Sequence, residues 1–168
     1  MAGDLDLARS RGATREARVT ESGMYTLWLD DGRRWRVQNV LMGDALRRFA
    51  QAAALQGDRA LAWWLHVRSE HPLKSFDVRG FEPDARAQFE RAMRAAVATV
   101  RTNHAADDPF RRVFERLELM LDAIQRGDDP LELTDYTAHL VEYDAAFAPD
   151  LDEFGDAPLD LERLLGLI

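Results

Sequence analysis

The stretch MYTLWLDDGRRWRVQNV, residues 24–40, decides the fold, because two runs rich in β-branched and aromatic residues flank a turn. Met24 to Leu29 and Arg34 to Val40 are the expected strands, joined by Asp30-Asp31-Gly32-Arg33. Asp31-Gly32 suits a two-residue type I′ turn, whose central positions both need positive φ. In that register Asp30 faces Arg33 and Trp28 faces Trp35. Thr26, Trp28, Trp35 and Val37 then share the face expected to enter the core. Tyr25, Leu27 and Leu29 share the other with Arg34, Arg36 and Gln38. Ala17 and Val19, ahead of a Glu21-Ser22-Gly23 turn, supply an expected third antiparallel strand.

Beyond the hairpin the hydrophobic pattern becomes helical. Asp44 is the expected cap of a segment carrying Leu46, Phe49, Ala50 and Ala53, which Gly57 ends. Asp58 caps the next, running towards Pro72. Leu61, Trp63, Leu65 and Val67 alternate there as in a strand, yet the length, the cap and the proline favour a helix. Residues 71–82 read as an ordered loop with Phe76, Val78 and Phe81 tucked in, and room for a short strand at Phe76 to Val78. An amphipathic helix starts at Pro83, with Phe89, Met93, Ala96, Val97 and Val100 on one stripe. Asp107-Asp108-Pro109 opens another, whose stripe runs from Phe110 to Ile124 and which Arg126-Gly127 closes. Tyr136, Leu140, Tyr143 and Phe147 recur at helical offsets behind a cap at Thr134, and Leu161, Leu164 and Leu165 mark a last short helix.

Strands first and helices after predict an α+β fold: an N-terminal antiparallel β-hairpin or three-stranded meander followed by four to six helices packed on it. Residues 1–14 read as a flexible leader and residues 15–168 as a single domain whose segment 127–168 is acidic. A chain of 168 residues buries roughly 70% of its unfolded surface, enough for one core.

The absence of cysteine excludes disulfides and thiolate chemistry and favours a reducing compartment. Asp4 and Asp6 interrupt any signal-peptide pattern, and the longest apolar run, Ala60 to Leu65, is far below the roughly 18 residues that cross a bilayer. The expected location is cytoplasmic, away from membranes.

Charge is unevenly placed. Residues 1–103 carry 17 Lys and Arg against 13 Asp and Glu, whereas residues 104–168 carry 5 against 17. From Gly127 onward twelve carboxylates face one cation, Arg163. Such asymmetry bears on association rather than on fold.

No catalytic signature is present. No serine lies in a Gly-x-Ser-x-Gly elbow, and Gly43, Gly57 and Gly80 stand alone rather than in a phosphate loop. A metal reading joins Glu115 and Glu118 with His139 and Glu142, but a bundle di-metal centre has glutamate before histidine, and twice. His66, Glu70 and His71 lack zinc-protease spacing and read as loop anchors. Arg33, Arg34 and Arg36 beside Trp35 invite a base-stacking reading, which a pI near 5.0 opposes. The sequence therefore predicts no catalytic residue, no cofactor and no metal.

The expected function is protein binding through the acidic end, where carboxylates steer a basic partner and aromatic rings supply contact area. The expected contact residues are Asp128, Asp129, Glu132, Asp135, Glu142 and Tyr143, followed by Asp144, Asp150, Asp152, Glu153, Phe154 and Asp156. In bulk properties the chain resembles bacterial immunity proteins, which neutralise toxins. The likeness is one of class and carries no residues over. The expected partner is a basic toxin or enzyme domain, met as a monomer or small homo-oligomer. An acidic secretion-type chaperone and a helical-bundle metal enzyme are the alternatives.

Overall fold

The computed structural model describes residues 23–72 and 74–129 and the backbone of residues 135–138. Strands β1, Met24–Trp28, and β2, Arg34–Gln38, pair antiparallel as the sequence predicts. Their register differs from the expected one by a single residue: Leu27, not Trp28, stands opposite Trp35. The loop is the cause. Leu29 N–H donates to the Arg33 carbonyl at 2.8 Å and Gly32 N–H to the Leu29 carbonyl at 2.9 Å, so three residues bridge the strands instead of two. Gly32 sits at φ +89°, the left-handed residue that follows the turn in a loop of this length. A slip of one exchanges the two faces of a strand. The core face is therefore Leu27, Leu29, Trp35 and Val37, each at most 1% exposed, while half-buried Trp28 lies on the opposite face. The expectation for Trp35 and Val37 holds; that for Trp28 and Thr26 as their companions does not.

β2 passes directly into helix α1, Asn39–Leu55, whose cap position is Gln38. Asp44 is thus no cap. It lies inside α1, 1% exposed, and accepts from Arg48 Nε one turn later at 2.7 Å. The helix begins earlier than expected because Leu41, Met42, Ala45, Leu46 and Phe49 form one continuous buried stripe reaching back to the strand. Its end is as expected: Gly57 at φ +83° donates to the Ala54 carbonyl and Asp58 N–H to the Ala53 carbonyl, closing a Schellman motif. Asp58 Oδ1 then accepts Leu61 N–H at 3.0 Å and starts α2, Arg59–Glu70, so this ambiguous segment is a helix.

The expected short strand forms as β3, Phe76–Asp77, and continues into a 3₁₀ turn over Val78–Gly80. Helices α3, Pro83–Asn103, and α4, Pro109–Arg126, follow where the sequence puts them. Asp108 Oδ1 caps α4 through Phe110 N–H at 2.9 Å, and Gly127 at φ +72° ends it. The helices meet the hairpin through aromatic rings in edge contact: Trp35 on Phe114 at 6.1 Å, Phe114 on Phe49 at 6.5 Å and Phe49 on Phe89 at 5.7 Å. The buried Trp35 Nε1 donates to the Val113 carbonyl at 3.2 Å, which satisfies the one polar atom of that ring.

Residues expected to open a helix at Tyr136 instead form a strand, β4, Asp135–Ala138. It pairs parallel with β2, from Arg34 opposite Asp135 to Val37 opposite Ala138. The unpaired backbone groups along the edge of β2 offer partners that a local helical period does not show. With β3 parallel to β1, the sheet runs β3-β1-β2-β4, an antiparallel centre with parallel flanks drawn from later in the chain. The fold is α+β, with the helices sharing one face of the sheet. The strand expected at Ala17 and Val19, the leader, the rest of the Tyr136 to Phe147 helix and the one at Leu159 to Ile168 lie outside the described residues.

The register makes a direct prediction. Leu27→Ala should cost about 2–5 kcal/mol in urea denaturation, and Trp28→Ala much less despite the larger side chain; equal losses would refute the pairing.

Candidate functional site

Of the twelve expected contact residues, Asp128 and Asp129 are fully described and Asp135 is placed by its backbone at the start of β4. Glu132, Glu142, Tyr143, Asp144, Asp150, Asp152, Glu153, Phe154 and Asp156 lie outside the described residues.

The root of the acidic segment is built by local geometry. Left-handed Gly127 turns the chain off α4, and the Asp128 carboxylate accepts from Arg126 Nη2 at 2.9 Å, while Asp129 is exposed. The carbonyls of Asp128 and Asp129 both accept from Arg33 Nη2, at 3.0 and 3.3 Å. Arg33 is fully buried, and its Nε donates to Asp31 Oδ2 at 2.7 Å. One guanidinium thus joins the hairpin loop to the start of the acidic segment. A buried cation is tolerated only where hydrogen bonds replace its hydration, which the carboxylate and the carbonyls do here. Arg33 was expected at the hairpin surface facing Asp30; the one-residue slip places it beside Leu29 at the sheet's inner margin. Its odd-numbered parity with Trp35, which is the same in either register, was the available signal.

A second buried cation is Arg48, 4% exposed, paired with Asp44 and stacked over the Phe110 ring at 5.0 Å. Their spacing of four on one helix was legible; their burial was not.

Groups considered for chemistry are engaged in structure. Glu115 accepts from Arg111 Nε at 2.7 Å and Arg101 Nε at 3.3 Å, and Glu118 accepts from Arg101 Nη2. The Arg111 hydrogen bond, reinforced by Arg101, holds the Glu115 carboxyl below its ordinary range. His139 and Glu142, the other half of that metal reading, lie outside the described residues. Glu70 faces Arg47 at 3.4 Å, and among the described residues no group of three or more His, Asp or Glu is gathered for a metal ion. Trp35, the centre of the base-stacking reading, is enclosed by the core. At the α3–α4 corner His104 Nδ1 lies 3.0 Å from Asp108 Oδ2, with its ring on Phe110 at 4.8 Å. The contact with His104, with the Phe110 N–H behind it, holds the Asp108 carboxyl low. Asp77 is held low chiefly by the Arg79 side chain.

No family model, no curated protein and no solved structure matches this chain.

Two outcomes follow from these contacts. Arg33→Met should destabilise the fold by about 1–3 kcal/mol in chemical denaturation, because it leaves the carbonyls of Asp128 and Asp129 without their donor. Acid should also weaken the fold. Asp77, Asp108 and Glu115 have folded pKa values below their unfolded ones, so their contribution is present above about pH 4 and is lost as pH falls through the folded values. Melting temperature measured from neutral pH downward should drop in that window, and Asp108→Asn should make the drop shallower.

Proposed function

We propose that this chain is a protein-binding protein of the immunity or inhibitor type, acting in the cytoplasm on a basic toxin or enzyme domain through its acidic C-terminal third. The observation that carries the reading is where the uncompensated charge lies. Several carboxylates ahead of Gly127 are paired with arginines: Glu90 and Asp122 with Arg94, Glu115 and Glu118 with Arg101 and Arg111, Asp77 with Arg79. After Gly127 twelve carboxylates share a segment with Arg163 alone. The excess of carboxylate therefore lies in the C-terminal third.

An excess of this kind raises encounter rates with a cationic surface and selects against anionic ones. The Arg33 clamp supports the reading because it fixes the root of the segment to the hairpin through backbone carbonyls. Phe154 among Asp152, Glu153 and Asp156 adds an aromatic anchor to the charge. The metal alternative is weakened by the arginines that engage Glu115 and Glu118.

The test starts from proteins recovered with the chain from its native cells at low salt. For a basic protein so identified, association should slow as salt rises from about 0.05 to 0.5 M. Reversing Asp150, Asp152, Glu153 and Asp156 to lysine should slow it about 10–100-fold with the unfolding midpoint unchanged. Lost folding with intact binding would give the charge a structural role instead.

A further inference from the structure

Of the 22 Lys and Arg residues in the chain, Lys74 alone is lysine. An arginine guanidinium stays protonated, whereas a lysine amine can lose its proton to suit its surroundings and then act as a nucleophile. Lys74 is the only side-chain amine in this sequence.

The fold makes a place for it. Lys74 is half-buried in the loop between α2 and β3. A Cβ added to Gly43, the one glycine of α1, would meet Lys74 Cε at 3.4 Å and the Ser69 carbonyl oxygen at 3.6 Å. The lysine stem thus crosses α1 where a side chain is missing, at a position inside the helix that otherwise favours alanine. Its Nζ donates to the His71 carbonyl at 2.9 Å and stands 5.6 Å from the centre of the Tyr25 ring. The Arg47 guanidinium, also from α1, is 3.9 Å from the same added Cβ and pairs at 3.4 Å with Glu70, the last residue of α2.

Burial pushes the Lys74 ammonium below the ordinary lysine range; Glu70 opposes the shift and Arg47 adds to it. The Tyr25 ring favours the cation. Desolvation and a neighbouring cation are two means by which a lysine amine becomes a nucleophile. Arg47 also suits a reagent that carries an anionic leaving group, above all a phosphate. We propose that Lys74 is an acylation site, which takes the acyl group of small acyl phosphates. The ammonium first gives one proton to solvent. The amine nitrogen then bonds to the carbonyl carbon, the bond from that carbon to the phosphate oxygen breaks, phosphate leaves with the electron pair, and the second proton passes to solvent. The amide formed is uncharged, so the modification removes the cation that faces Tyr25 and Glu70. This site does not depend on the proposed partner binding.

The test uses the full chain carrying Arg91→Lys, which puts a reference amine on the exposed side of α3. With acetyl phosphate near neutral pH, peptide mapping by mass spectrometry should find Lys74 acetylated about threefold faster than the reference amine, with a rate that levels off at lower pH. Charge supplies a second measurement. Arg47→Gln and Glu70→Gln both remove the ion pair between these two residues, so a purely steric influence would move the Lys74 rate the same way in both. Acting through charge, Arg47→Gln should slow Lys74 about twofold and Glu70→Gln should speed it about twofold. The proposal is overturned if the reference amine reacts as fast as Lys74. It is overturned equally if the two variants shift the rate in the same direction or leave it unchanged.

Discussion

A single backbone hydrogen bond, from Leu29 N–H to the Arg33 carbonyl, sets the loop length of the hairpin and through it the placing of every strand side chain. Because side chains alternate along a strand, a loop of three residues instead of two decides that Leu27 and Leu29 join Trp35 and Val37 against the helices. Alternation along β2, the same in either register, turns Arg33 inward with Trp35 and puts Arg34 and Arg36 on the other face. Gly32 makes the closure possible by taking φ +89°, a conformation that a residue with a side chain adopts only at a cost.

That register explains how charge is distributed through the fold. Arg33 is buried because it has Asp31 and the carbonyls of Asp128 and Asp129 to bond, and in bonding them it ties the first element of the chain to the point where the acidic segment begins. Asp44 and Arg48 form a second buried pair beneath the Phe110 ring. On the surface, carboxylates and arginines of α3 and α4 answer one another across the helix pair. The excess of carboxylate lies beyond Gly127, and Arg126 of α4 pairs with its first member, Asp128.

The sheet gathers strands from distant parts of the chain. β3 arrives from beyond α2 and β4 from beyond α4, each parallel to a hairpin strand, so both edges of the hairpin are paired. This joins the acidic segment to the sheet by hydrogen bonds that do not depend on its side chains, and it gives the segment a defined starting point on the hairpin.

The helices from Arg59 to Arg126 were legible in the sequence because their determinants are local. Asp58 and Asp108 cap within three residues, Gly57 and Gly127 close within one turn, and the stripes of α3 and α4 repeat over several turns. The charge asymmetry was equally plain, being composition alone. Tertiary structure decided what local patterns leave degenerate. A two- or three-residue loop fits the same Asp-Asp-Gly letters; Asp44 suits a cap or a buried pair; and residues 135–138 fit a helix start until the edge of β2 supplies backbone partners. Only the packed fold chooses among these, since each choice is settled by burial and by hydrogen-bond partners far away in the sequence.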